Sequence, residues 1–165
     1  MEKYFSTGDA GFVKMPPLPE ILPLERVKIA ESASKDETLS FLTGMLAGIP
    51  SLPISAEKLK AAIIAREKLM STGIGLGFAF PHVRIPEARE IVAAAVLMKN
   101  GIPDYESLDQ QIVRLAVMII APPGQHAQHL RLLSTFSSKL KDPVLSEKLF
   151  SADSEEFLHS LLTGK

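Results

Sequence analysis

The chain has no cysteine among its 165 residues. Disulfides, thiolate metal sites and thiol nucleophiles are thereby excluded, and nothing calls for an oxidising compartment. Charge bias is lacking too: 18 Lys and Arg stand against 19 Asp and Glu, so the molecule as a whole has no basic field of the kind that marks nucleic-acid binders. No apolar run approaches the roughly 20 residues of a spanning helix, since the longest, Val113 to Pro123, is broken by Arg114. The opening Met1-Glu2-Lys3-Tyr4 has no apolar segment typical of a signal peptide. Together these absences predict a cytoplasmic protein, and 46% hydrophobic residues are enough to fill the core of one domain.

What is present begins with proline. Residues 1–23 hold Gly8, Gly11, Pro16, Pro17, Pro19 and Pro23 without sustained periodicity, which predicts an irregular arm docked on the body or on a neighbouring molecule. The body, residues 24–165, starts with a short alternation at Val27 and Ile29, a candidate first strand. Ser34-Lys35-Asp36-Glu37 is a capping box, and the spacing of Leu39, Leu42, Met45 and Leu46 predicts a helix over 35–47, stopped by Gly48. Ser55 caps a second helix in which Leu59, Ala62, Ile63 and Leu69 are expected to share one face. Gly73, Gly75 and Gly77 then alternate in a turn able to approach a ligand closely, before a Phe78-Ala79-Phe80 strand that Pro81 ends.

Ile91–Met98 and Val113–Ile120 are continuous apolar runs that predict central strands, with a turn at Gly101-Ile102-Pro103-Asp104. After Pro122-Pro123-Gly124 a helix is expected to turn Leu130, Leu133, Phe136 and Leu140 to the core, until Pro143 ends it. Helical pieces at Val144–Phe150 and, capped by Ser154, at Glu155–Leu162 close the chain. Helices before, between and after the strands predict an α/β fold, an α-β-α layered domain.

His82, directly after Pro81, lies where loop geometry decides its orientation, as a functional histidine or as a surface one ending a strand. His129 sits in the first turns of a helix, where the dipole favours an anion, although a solvated helix histidine looks the same. Arg66 carries the fork that phosphate oxygens accept, but near a helix end it can equally be a solvated cation. Arg84, His126 and His159 invite only the bland reading.

Other chemistries fail on spacing. A dinucleotide fingerprint would need its third glycine at Phe78, and no G-K-[ST] or G-x-S-x-G occurs. His126 and His129 have no carboxylate in their turn to complete a zinc site. A metal-dependent or hydrolytic enzyme survives only if the His82 pattern is accidental.

The stretch Arg66-Glu67 through Ser71-Thr72-Gly73-Ile74-Gly75, Gly77 and Pro81-His82 closely resembles the signature of enzyme IIA domains of the bacterial phosphotransferase system, of the fructose, mannitol and nitrogen-regulatory class. Ile102-Pro103-Asp104-Tyr105 with Asp109, Ala121-Pro122-Pro123 and His129-Leu130 with Leu133 resemble further pieces in the same order. The resemblance runs from about Leu24 to Leu162 and implies a mixed sheet of about five strands flanked by helices.

It also implies a phosphotransferase that accepts a phosphoryl group on His82 from a histidine-containing phosphocarrier protein. Arg66 and His129 match the site's arginine and second histidine, and Thr72 and Gly73 are candidate phosphoryl contacts, the Thr72 hydroxyl being favoured as a turn-former. No metal or other cofactor is implied. The onward partner is an enzyme IIB in sugar import or a regulated target in nitrogen regulation, and a chain without IIB or IIC segments leans to the second. Phe78, Phe80 and Val83 depart from the smaller residues usual in the family, and His126 is an extra histidine that can compete with His129 for the second position.

Overall fold

The computed structural model describes residues 3–6 and 12–164, with side chains from Met15 onward. Two short antiparallel strands, β1 (Lys3–Ser6) and β2 (Phe12–Met15), come first, followed by one helical turn, α1 (Leu18–Ile21). The expectation of an irregular arm is therefore corrected over these segments. Elements of four residues are too short to print a period, and proline is tolerated in the first turn of a helix, as Pro19 is in α1. Gly8 and Gly11 lie outside the described residues.

The main sheet runs β3 (Val27–Ala30), β7 (Val92–Ile102), β8 (Val113–Ala121), β5 (Phe78–Ala79), β4 (Gly73–Gly75), with β6 (His82–Arg84) also paired to β8. Six strands thus fill five lanes, and the mixture of parallel and antiparallel pairs is as expected. β5 and β6 are both parallel to β8, lying end to end in one lane. The register is the same on both sides of the break: Phe78 faces Leu115 and His82 faces Ile119, four residues further along each strand. Pro81 sits in the gap, where its missing N–H leaves no ladder donor unpaired, while its carbonyl accepts from the Ile119 N–H at 2.9 Å.

β7 and β8 are buried on both faces, which is why they read as continuous apolar runs. One face packs Ala94, Val96, Ala116 and Met118 against α2 (Lys35–Leu46) and α3 (Ala56–Leu69). The other packs Ala93, Ala95, Val117 and Ile119 against α4 (His126–Leu140), α5 (Pro143–Phe150) and α6 (Glu155–Thr163). α2 carries the full capping box at Ser34 and Glu37, and Ser55, Asp142 and Ser154 cap their helices through side-chain oxygens. No helix among the described residues is long and apolar enough to cross a membrane.

Three details depart from the expected pattern. The core face of α3 is Leu59, Ile63 and Glu67, at steps of four, and Leu69 is 81% exposed because it lies about a third of a turn away from Ile63. In α4 the buried positions are Gln128, His129, Leu132, Phe136 and Leu140, and Leu130 points outward. β7 runs through the expected turn to Ile102, because Gly101 at φ +89° continues the chain where other residues would be strained. Met15, Ile21 and Leu22 belong to the core beside α6, and the His159 Nε2–H donates to the Leu22 carbonyl at 2.9 Å.

Phe136 is fully buried and stacks on Phe80, the residue two before His82, with ring centroids 5.9 Å apart. Phe136→Ala is expected to lower unfolding stability by about 3–5 kcal/mol in urea titration, and a loss under 1 kcal/mol would contradict this packing account.

Candidate active site

Alternation along the broken lane explains which side chains meet. Phe78 and Phe80 point to the α4 side and Ala79 and Val83 to the α3 side, so His82 continues the first series. His129, on the buried side of α4, comes against it, with the two rings edge to face and their centroids 4.9 Å apart. Arg84, two residues on from His82, borders the same cleft, with His126 opposite it on the first turn of α4. Arg66, from the last turn of α3, closes the set, one of its Nη groups being held by the Met70 carbonyl at 3.0 Å. Arg66, His82, Arg84, His126 and His129 thus share one open cleft of about 270 Å³, floored by Val83, Leu130 and Leu133. Larger hollows occur elsewhere, such as one of about 720 Å³ along α4, but they contain none of these histidines.

Hydrogen bonding fixes the state of His82. Its Nδ1 lies 2.7 Å from the Phe80 carbonyl, which can only accept, so Nδ1 carries the proton and Nε2 keeps its lone pair. Desolvation by burial is the main cause holding its pKa below the usual imidazole value; the bond to Phe80 opposes it, and Arg66 and Arg84 add to the lowering. For His129 burial, aided by His82, Arg84 and Arg66, pushes the pKa down to about 4. Both rings are neutral at pH 7. The His129 Nε2 is buried without any hydrogen-bond partner, a costly condition that an incoming oxygen would relieve.

The glycine-rich turn has a different task from the one its composition suggests. The Thr72 N–H donates to Glu67 Oε2 at 3.2 Å, and the Thr72 hydroxyl bonds Glu67 Oε1 and the Tyr105 hydroxyl. The Gly73 N–H turns to the Ser71 hydroxyl at 3.3 Å. Neither residue is among those that line the cleft, and both N–H groups are taken up within the turn, the Thr72 hydroxyl acting as the turn-former. A Cβ on Gly73 would lie 2.1 Å from the Glu106 carbonyl oxygen, and one on Gly77 2.7 Å from the Phe150 ring. The glycines admit neighbouring chain, not ligand.

Glu67 is the residue sequence reasoning undervalued. The residue is 8% exposed, and its carboxylate also takes the Lys35 ammonium at 3.0 Å and the Tyr105 hydroxyl at 3.1 Å. α2, α3, the turn and the segment after β7 therefore meet at one anion, next in sequence to Arg66. Burial and the Glu67 charge drive the Tyr105 pKa upward, keeping the phenol a donor. The sequence signal was the i, i+4, i+8 spacing of Glu67 with Leu59 and Ile63. Arg84, read from the sequence only as a solvated cation, lines the cleft, and its i+2 relation to His82 on one strand was the signal. His159 lies at Leu22, away from the cleft.

Residues 20–165 match the family described as "Phosphoenolpyruvate-dependent sugar phosphotransferase system, EIIA 2". The chain belongs to this family. It is 33% identical over 131 residues to the nitrogen regulatory protein of Escherichia coli K12, covering 79% of this chain and 78% of that one. It spans 65% and 22% of the length of two other curated relatives that it matches. Among solved structures, nitrogen regulatory protein IIA-Ntr from Neisseria meningitidis superposes with a TM-score of 0.82 at 28% identity, over 88% of this chain and 99% of that one. Enzyme IIA mannitol of Escherichia coli, in complex with phosphorylated enzyme IIB mannitol, does so with a TM-score of 0.68 at 25% identity, over 86% and 96%. The α/β fold expected of an EIIA domain is the one observed.

Removing the Glu67 carboxylate from this EIIA domain strands the Thr72 and Tyr105 donors and unpairs Lys35, which is exposed enough to regain water. Glu67→Ala is expected to cost about 2–3 kcal/mol in chemical denaturation, and an unchanged midpoint would show that the network does not hold the turn.

Proposed function

We propose that this EIIA domain is a phosphocarrier that takes a phosphoryl group onto His82 Nε2 from a histidine-containing phosphocarrier protein. The observation that supports it most is the bond from His82 Nδ1 to Phe80, which commits one nitrogen and leaves the other as a nucleophile. The same cleft is lined by the guanidinium of Arg66 and by His129, whose Nε2 has no partner, groups suited to the equatorial oxygens of a transferring phosphoryl group.

The step balances without a base. The Nε2 lone pair attacks the phosphorus of the donor's phosphohistidine, the donor's P–N bond breaks, and its electron pair returns to the donor ring. The donor ring becomes neutral, while His82, now bearing both the phosphoryl group and the Nδ1 proton, acquires the positive charge. The Phe80 carbonyl stabilises that charge. His129, as the Nε2–H tautomer, donates to a phosphoryl oxygen. The cleft is open enough for a partner protein to present its histidine, and the scheme uses neither nucleotide nor metal.

We assign the domain to the nitrogen-regulatory branch because the Neisseria IIA-Ntr structure fits it better than the mannitol enzyme does, and to the cytoplasm because its proposed phosphoryl donor is a soluble phosphocarrier. The second reading, delivery to the cysteine of an enzyme IIB for sugar import, draws on the mannitol IIA–IIB complex. Adding a co-encoded IIB to the phosphorylated domain separates them: discharge favours transport, and retention of the phosphate favours regulation.

Labelling from phosphoenolpyruvate through the general phosphotransferase proteins, with the phosphate located by mass spectrometry, tests the main claim. His82→Ala is expected to abolish labelling, and a label persisting elsewhere on the chain refutes the assignment. Arg66→Ala should slow transfer by about 2–4 kcal/mol of barrier, and His129→Ala should slow it more than His126→Ala. Stopped reactions would measure both.

Acceptance also has a pH signature. Protonation of Nε2 removes the lone pair, so the rate should hold from pH 8 downward and fall only as pH passes through the His82 pKa, which lies below 6.5. An acid limb centred above 6.5 would contradict the neutral site described above.

A further inference from the structure

Arg84 has no role in the scheme above, yet it borders the same cleft as His82, Arg66 and His129. Its place follows from the strand: positions 82 and 84 of β6 stand on one face, on the side of α4. The guanidinium meets the His126 ring, Nη1 against Nδ1, at the exposed rim. Of the two histidines on the first turns of α4, one is thus engaged by Arg84 at the mouth of the cleft, while the other, His129, lies buried with an unpaired nitrogen. The charge of Arg84 is felt by both His82 and His129.

We infer that Arg84 is a second phosphoryl-contacting arginine, parked on His126 while the site is empty and drawn across the cleft when His82 is phosphorylated. Arg66 comes from α3 on one side and Arg84 from the strand itself, so two forks would flank one dianion, with His129 supplying a third donor. The energetic case is simple. The contact that Arg84 leaves is with one imidazole nitrogen at the exposed rim, whereas the pairing it gains is with an oppositely charged group and is bidentate, two parallel bonds in place of one. The inference rests on His82 being the acceptor and goes beyond it by assigning a residue that moves with the phosphate.

The test compares the unmodified chain, Arg84→Ala and Arg84→Lys, each phosphorylated by the phosphorylated histidine-containing phosphocarrier protein. Maximal transfer rate and half-saturating donor concentration are read separately. Arg84→Ala is expected to lose about tenfold or more in maximal rate, with Arg84→Lys, which keeps the charge but not the fork, recovering part of the loss. A merely structural role is separated by nuclear magnetic resonance of the Arg84 Nε–H, which should shift on phosphorylation of His82 in the isolated, unmodified domain. A rate in Arg84→Ala within twofold of the unmodified chain, a loss confined to half-saturation, or a guanidinium signal that phosphorylation leaves unmoved would each overturn the inference while leaving His82 as acceptor. Absence of any label on His82 in the unmodified chain would instead remove the phosphocarrier reading and this inference with it.

Discussion

Everything at the site depends on a strand that is broken without being displaced. β5 and β6 keep one register along β8, so the sheet treats them as a single lane, and yet the proline between them has no N–H for the ladder. The interruption brings the Phe80 carbonyl within reach of the His82 ring, where an uninterrupted strand would commit its polar groups to the neighbouring strand. A backbone defect is thereby converted into a side-chain constraint: one imidazole nitrogen is fixed by the chain that carries it. Continuity of register matters equally, because a slip of one residue would send His82 to the α3 face and Val83 to the α4 face.

Around this lane the electrostatics are arranged with two kinds of counterweight. On the cleft side, cations from Arg66 and Arg84 and burial together keep both histidines uncharged. On the inner side, the Glu67 carboxylate gathers Lys35, Thr72 and Tyr105. Arg66 and Glu67 are neighbours in sequence at the end of α3, and the helix turns one outward and the other inward. The buried anion anchors the helix end from which the exposed guanidinium reaches the cleft, so the two adjacent charges divide the work of holding and of reaching.

Much of the fold was legible because its signals are local. The capping box at Ser34 and Glu37 set the start of α2 to the residue, and the doubly buried strands announced themselves as unbroken apolar runs. That His82 and His129 share one cleft was expected from the resemblance to the family signature, since neither residue's own surroundings set it apart from a surface or helix histidine. Illegible were features set by distant chain. Gly73 and Gly77 look like ligand-cradling glycines until Glu106 and Phe150 are seen to occupy the space their missing side chains leave. Leu69 and Leu130 satisfy a helical period by eye, but the exact inward face is chosen by what packs against it, and there Glu67 and His129 took the places that hydrophobicity alone would give to leucine. The short elements before Leu24 carry too few residues for any period to register.

The lane that bears His82 also has a history within the folding of the chain. β7 and β8 are neighbours in sequence and antiparallel, so they can close early at small entropic cost, whereas β5 and β6 must pair with β8 in parallel across the whole of intervening β7. The Leu22 carbonyl and His159 are drawn together over a separation of 137 residues. The segment that carries His82 therefore joins the sheet at a larger entropic cost than the central hairpin, and long-range pairing alone holds its place in the lane.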